Sequence, residues 1–219
     1  MQKKKAVLFD LDGTVLDTIA DIAAALNRAL AAFGFKEKSV SQVQSYLGNG
    51  MLMLVRRATD FAAEDSLCLQ IRELFAKEYA NDMYSNTVPY QGVPQLLCDL
   101  GAAGVKVGVI TNKDHRCALP MIEHYFGNAV DGVRGVKTDT DRKPNPQNTL
   151  NLLEEWGISP AEAVFVGDGL PDIEVAKNSN IEILPVGYGY TAPDILLEKS
   201  GVRAVSDVNE LRRELLAKI

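Results

Sequence analysis

The spacing of apolar positions changes character along the chain. Ala6-Val7-Leu8-Phe9 is an unbroken apolar run that stops at Asp10. Such a run fits a strand buried on both faces, as in a parallel sheet. Asp12-Gly13 follows as a turn. From there Ile19, Ile22, Leu26, Leu30 and Phe33 recur at helical spacing, with Gly34 as a stop. Helical patterning continues through Leu52 to Ala58 and Leu67 to Tyr79, and no strand is expected between Asp17 and about Asp82.

After Pro89 the pattern alternates. Gly92 to Leu100 reads as a helix, and Val105 to Ile110 as a strand. His115 and His124 fall on a further helix. Leu150, Leu153 and Trp156 mark another, ended by Gly157. Ala163-Val164-Phe165-Val166 is a strand, and a helix with Pro171 in its first turn follows. Ile181 to Leu184 is a strand, with Arg203 to Val205 as a further candidate, and Asp207 to Glu210 opens a last helix.

Strands alternating with helices predict an α/β fold built on a parallel sheet. The lone N-terminal strand cannot be stable by itself, so it should join the C-terminal sheet. The expected fold is a three-layer, Rossmann-like parallel-sheet core, residues 1–16 plus 84–219. An α-helical cap, residues 17–83, is inserted into it.

Composition narrows the function. With 219 residues the chain is long enough to bury a core without disulfides. Its 23 basic against 29 acidic residues give a charge of −6, a poor balance for gripping nucleic acid. No apolar run approaches the ~20 residues that span a bilayer. The basic start, Met1 to Lys5, precedes an apolar run too short for a secretory leader. Cys68, Cys98 and Cys117 are too scattered for a metal pattern. A cytoplasmic protein with reduced thiols is expected, with no nucleic-acid or membrane partner.

Ligands of open α/β sheets bind beyond the carboxyl ends of the strands. Here the first strand runs into Asp10-Leu11-Asp12-Gly13-Thr14, and the second into Thr111-Asn112-Lys113. The strand at 163–166 runs into Gly167-Asp168-Gly169-Leu170-Pro171-Asp172, and Lys143-Pro144 lies in a polar loop. Asp10 and Asp168 could share a hard cation such as Mg²⁺. Thr111, backbone N–H groups and Lys143 could hold phosphate oxygens. A carboxylate can also serve as a nucleophile, with a second carboxyl two residues on as acid and base. An EF-hand is rejected, because its sixth position needs Gly and its twelfth Glu, where Val15 and Asp21 stand.

Asp10-Leu11-Asp12-Gly13-Thr14-Val15, Thr111, Lys143-Pro144 and Gly167-Asp168 with Asp172 resemble the four ordered motifs of the haloacid dehalogenase superfamily of phosphatases. The insertion after the first motif resembles that superfamily's helical cap. Tyr46 to Gly50, Leu54 to Ala58, Thr111-Asn112-Lys113 and Gly187-Tyr188-Gly189-Tyr190 resemble its phosphoglycolate-hydrolysing branch.

The resemblance implies a Mg²⁺-dependent phosphatase acting on a small phosphorylated metabolite, with phosphoglycolate preferred. Asp10 would attack phosphorus. Asp12 would protonate the leaving alcohol, which needs a raised pKa, and then activate water. Thr111, the Asn112 backbone and Lys143 would bind the phosphoryl group. Mg²⁺ would lie between Asp10, the Asp12 carbonyl and Asp168, with Asp172 as a ligand or behind one. Gly169 departs from the superfamily, where a small hydroxyl residue is common. Gly48, Asn49, Gly50 and Arg56 of the cap are candidates for specificity. Arg56 and Arg57 could face a carboxylate-bearing substrate, with an exposed helix face expected for at least one of them, and His115 and His124 are read as surface residues. Another sugar phosphate, a nucleotide or pyrophosphate stays open as substrate, as do a phosphomutase and a non-catalytic phosphate-binding protein.

Overall fold

The computed structural model describes residues 3–48 and 50–219. Its elements follow in chain order. β1 (Ala6–Phe9) and β2 (Leu16–Asp17) lead into four helices, α1 (Ile19–Ala32), α2 (Val40–Tyr46), α3 (Met51–Ala58) and α4 (Asp65–Asn81). β3 (Val88–Pro89), α5 (Val93–Ala102), β4 (Lys106–Asp114), α6 (His115–Phe126) and β5 (Gly132–Val136) come next. α7 (Gln147–Glu155), β6 (Ala163–Gly167), α8 (Leu170–Asn178), β7 (Glu182–Pro185), α9 (Pro193–Ser200) and α10 (Val208–Leu216) complete the chain.

Five strands form one parallel sheet in the order β5-β4-β1-β6-β7. β1 lies at its centre, with Phe9 level with Val109 on one side and Val166 on the other. Its four residues are at most 1 % exposed, which is why they read as a continuous apolar run rather than an alternating one. On one face Leu8, Ile110 and Phe165 pack against Leu152 and Leu153 of α7 and Val175 and Ala176 of α8. Alternate positions such as Val7 and Phe9 point to the other face. This is a three-layer Rossmann-like core.

β5 went unread because two glycines interrupt its apolar pattern. They are there for packing. A Cβ at Gly132 would lie 2.7 Å from Leu152 and 3.1 Å from Trp156, so a side chain would push α7 off the sheet. β4 extends four residues past the expected Ile110, carrying Thr111, Asn112 and Lys113. Arg203 to Val205 makes only a single bridge, Val205 to Val186. α2 was also unread, although Ser39 and Gln42 form the reciprocal cap that starts it.

The chain divides into two compact units, 1–16 with 89–219, and 17–88. The expected second boundary at 83/84 is therefore five residues early. The reason is Asp21 on α1, which is 1 % exposed. Its carboxylate accepts from the backbone N–H of Asn86 and Thr87, from Asn86 Nδ2 and from Thr87 Oγ1, at 2.8 to 3.1 Å. Residues 86 and 87 are thereby stapled to α1. Burial opposes the charge on Asp21, but the Asn86 and Thr87 bonds outweigh it and hold the carboxyl below its usual value. Within this unit the Ile19, Ile22, Leu26 and Leu30 stripe is buried, and Phe33 is half-buried.

Cys68 is buried, Cys98 exposed and Cys117 half-buried, and all three are free thiols. Among the described residues no helix is long and apolar enough to cross a membrane.

A depressed folded-state pKa means that Asp21 stabilises the fold above its unfolded value near 3.8, and that this contribution is lost as pH falls through the lower folded value. Asp21→Ala strands the buried Thr87 N–H and hydroxyl at about 1–3 kcal/mol each. Hydrogen exchange read by mass spectrometry should show faster exchange in α1 and in residues 84–88 for this variant. The difference from wild type should shrink in acid.

Candidate active site

Parallel strands deliver their C-terminal residues to one edge of the sheet. β1 brings Asp10 there, β4 brings Thr111 to Lys113, and β6 brings Asp168. The register does most of the work, since β1 and β4, and β1 and β6, are paired along the full length of β1. The Asp10 N–H donates to the Val166 carbonyl at 2.9 Å, tying the first loop to the end of β6.

Lys143 is the hub. Its side chain is 3 % exposed, and its ammonium donates to the Ile110 carbonyl at 2.9 Å and to Asp172 Oδ1 at 2.6 Å. Asp10 Oδ1 lies 2.7 Å away, yet no donor is aligned on that buried oxygen. Asn112 aims the lysine. Its Oδ1 accepts from the Lys143 N–H at 2.7 Å and its Nδ2 donates to the Lys143 carbonyl at 3.2 Å. The Asn112 side chain is therefore engaged on the Lys143 backbone.

Asp172, in the first turn of α8, accepts from Lys143 with one oxygen and from the Gly169 N–H with the other, at 2.8 Å. One oxygen thus meets an ammonium and the other an amide, which makes Asp172 the partner of Lys143. Asp168 is gripped from two sides. Thr14 Oγ1 donates to its Oδ1 at 2.8 Å and the Tyr190 N–H to its Oδ2 at 2.7 Å. The Tyr188 hydroxyl in turn donates to the Thr14 carbonyl at 3.1 Å. Burial raises the Tyr188 phenol, which keeps it a donor.

Asp10 and Asp172 thus face one ammonium, and ligand atoms of Asp10, Asp168 and Asp172 lie within 4.8 Å of one another. Burial pushes Asp10 up to about 7, with Asp172 adding to the rise and Lys143 opposing it. Asp168 is raised well above the carboxylate range, by burial first and then by Asp10 and Asp172. Burial works against the charge on Lys143, but Asp10 and Asp172 outweigh it and hold the ammonium protonated. Hard oxygen donors and surplus negative charge together fit a divalent hard cation.

Asp12 stands apart from the three. Its Oδ1 accepts from Lys113 Nζ at 2.6 Å. Thr111 is buried and its Oγ1 accepts from the Lys113 N–H at 3.2 Å. Roles for Thr14, Lys113 and the Tyr190 amide had not been foreseen. The Thr after Asp-Gly was part of the first motif, but nothing in the sequence said that Lys113 reaches back to Asp12.

The cap candidates lie in the helical unit. Gly50 caps α3, Gly48 precedes it, and Asn49 lies outside the described residues. Arg56 pairs with Asp65 at 2.7 Å, and Arg57 donates to the Tyr46 carbonyl at 2.8 Å. Arg57 thus fastens the loop before α3, where a substrate contact or an exposed helix face was expected. His115 Nδ1 accepts from the Gly135 N–H at 3.3 Å, so it ties α6 to β5 where a surface residue was expected.

Asp168 is also held by contact. A Cβ on Gly189 would collide with the Asp168 Cβ and the Gly13 carbonyl oxygen. Gly13 itself, at φ +86°, faces the Asp168 carboxylate. At Gly169 a Cβ would meet Asp172 Oδ2 at 3.3 Å and Pro171 Cδ at 3.4 Å, tight but adjustable. Gly189→Ala is expected to destabilise the fold by about 1–3 kcal/mol, and Gly169→Ala by clearly less. Urea midpoints of the two variants measure the difference.

Comparison with known proteins agrees with this geometry. Residues 7–186 match the family model for haloacid dehalogenase-like hydrolases. A phosphoglycolate phosphatase of Pseudomonas putida is 35 % identical over 192 residues, covering 85 % of this chain and 70 % of the relative. One from Psychrobacter arcticus is 32 % identical over 222 residues, covering 97 % and 96 %. The crystal structure of a candidate phosphoglycolate phosphatase from Lactobacillus delbrueckii subsp. bulgaricus superposes with a TM-score of 0.91 at 28 % identity, covering 98 % of this chain and 99 % of that one. With a trio of carboxylates and a lysine gathered at the strand ends, and with this likeness along almost its whole length, the chain belongs to the haloacid dehalogenase-like hydrolases.

Proposed function

We propose that this protein is a phosphatase that hydrolyses a small phosphomonoester through an aspartyl-phosphate on Asp10, with phosphoglycolate as its preferred substrate and Mg²⁺ as its cofactor. The observation that carries the reading is Asp10 itself. It is a half-buried carboxylate at the end of the central strand, 2.7 Å from the Lys143 ammonium and clustered with Asp168 and Asp172. The substrate preference rests on the names of the relatives.

Mg²⁺, held by Asp10, Asp168 and the Asp12 carbonyl with Asp172 behind them, would supply positive charge that favours the Asp10 carboxylate and offsets charge on the phosphoryl oxygens. The protein's own groups do the rest. Asp10 supplies the attacking oxygen. Lys143, 2.7 Å from Asp10 Oδ1, is within reach of a phosphoryl group attached there. Thr111 and the Asn112 N–H serve the remaining oxygens. Asp12 gives a proton to the leaving alkoxide and later takes one from the attacking water. Catalysis of this kind is mostly positioning and electrostatics. The fixed contacts on Asp168 and Lys143 suit it, because donors already oriented need no rearrangement as charge develops.

Phosphate release should be measured across phosphoglycolate, hexose phosphates, nucleotides and pyrophosphate, with Mg²⁺ and with EDTA. Turnover should require Mg²⁺ and favour phosphoglycolate. Asp10→Asn should lower kcat by at least about 10³-fold, since the nucleophile is lost. Turnover of another ester would keep the chemistry and move the substrate. Return of phosphoryl to a sugar would make the enzyme a mutase. Full activity in Asp10→Asn would end the aspartyl-phosphate reading.

A further inference from the structure

The geometry points to Lys113 as the positioning residue for Asp12: its ammonium holds Asp12 Oδ1 at 2.6 Å and so orients the carboxyl that transfers the proton. The inference rests on the phosphatase reading above and assigns a part to a residue which that reading leaves idle.

The pairing follows from the sheet. β1 and β4 are neighbours in register, with Phe9 level with Val109. Asp12 comes three residues beyond Phe9 and Lys113 four beyond Val109, so the two loops leave the sheet side by side. The Lys113 side chain is 7 % exposed and the Asp12 side chain 22 %, with 2.6 Å between Nζ and Oδ1. The Thr111 hydroxyl accepts from the Lys113 backbone N–H, which fixes where the lysine starts.

A pair this enclosed is a poor stability device. Desolvating two charges offsets most of their attraction, and apolar residues of similar size commonly do as well. A positional role explains why the pair is there. The candidate site gathers four carboxylates, those of Asp10, Asp12, Asp168 and Asp172, and two lysines divide them. Lys143 takes Asp10 and Asp172, and Lys113 takes Asp12. Asp12 thereby has a counter-ion of its own.

The chemistry served is balanced as follows. An Asp10 oxygen bonds to phosphorus, the ester O–P bond breaks with its electron pair going to the alkoxide, and Asp12 gives that alkoxide its proton. Water then gives a proton to Asp12 as its oxygen bonds to phosphorus, and the Asp10–phosphorus bond breaks with its pair returning to Asp10. Both proton transfers need Asp12 aimed at the reacting oxygen.

The test compares two leaving groups. For an alkyl ester the alkoxide needs the Asp12 proton, whereas p-nitrophenolate leaves without one, and kcat/KM reports steps up to loss of the leaving group. With Mg²⁺ present, Lys113→Met should lower kcat/KM for phosphoglycolate, or for the alkyl ester turned over fastest, by about 10²-fold. For p-nitrophenyl phosphate kcat/KM should change less than about 3-fold, with kcat falling because water activation is impaired. Lys113→Arg should recover much of the alkyl-ester rate. Lys113→Gln replaces Lys113→Met if the latter fails to fold, as judged by its thermal midpoint. Equal kcat/KM losses for both esters, a raised KM with kcat kept, or unchanged rates would each overturn the assignment. These outcomes are distinct from failure of the phosphatase reading, which would show as an inactive wild type or an active Asp10→Asn and would remove both.

Discussion

An ammonium sealed inside a protein has to be matched by anions, and the sealing of Lys143 organises the core around it. Removing one partner of such a buried pair leaves an uncompensated charge, at about 3–5 kcal/mol. Asp172 meets the charge from the first turn of α8 and Asp10 from the end of β1. The Ile110 carbonyl takes a further hydrogen bond where β4 leaves its regular pairing. Asn112 clamps the lysine's own peptide groups. Three segments far apart in sequence are therefore fixed by one side chain, and all of them bear on the candidate site. The reactive geometry and the local stability of the sheet edge are one set of contacts.

A second set of contacts surrounds Asp168. Its two oxygens take a hydroxyl and an amide from residues 154 earlier and 22 later in the chain, and glycines press on it where no larger residue fits. The Gly187 to Tyr190 segment contributes through backbone and shape as much as through side chains. Tyr188 rests against Tyr90 with ring centroids 4.9 Å apart, which anchors that segment to the chain just after β3. The contacts around Asp168 have no slack, and that accounts for Gly189 on one side and Gly13 on the other.

Much of this was legible in the sequence. The unbroken apolar runs at 6–9 and 163–166 gave buried parallel strands, and what followed each gave Asp10 and Asp168. The alternation after Pro89 gave the α/β core, and the stripe from Ile19 gave α1. β5 stayed hidden because Gly132 answers to the Leu152 and Trp156 side chains and Gly135 to the backbone of Lys113 and His115, long-range demands with no local signal. The second boundary slipped because the fastening of 86 and 87 to Asp21 depends on a contact 65 residues back. The Lys113 ion pair was invisible for the same reason, since its partner lies 101 residues earlier. Side chains whose partners are local could be read, and those held by distant ones could not.

The stapling of residues 86 and 87 to Asp21, with β2 and β3 paired beside it, makes the helical insertion a loop whose two ends meet. The two ends of such a segment are held together by contacts of its own. It can be lengthened, shortened or exchanged for another without shifting the register of a single strand of the sheet. The core's chemistry and the insertion's sequence are thus free to diverge at different rates, one restrained by the crowding around Lys143 and Asp168, the other only by the need to return to where it began.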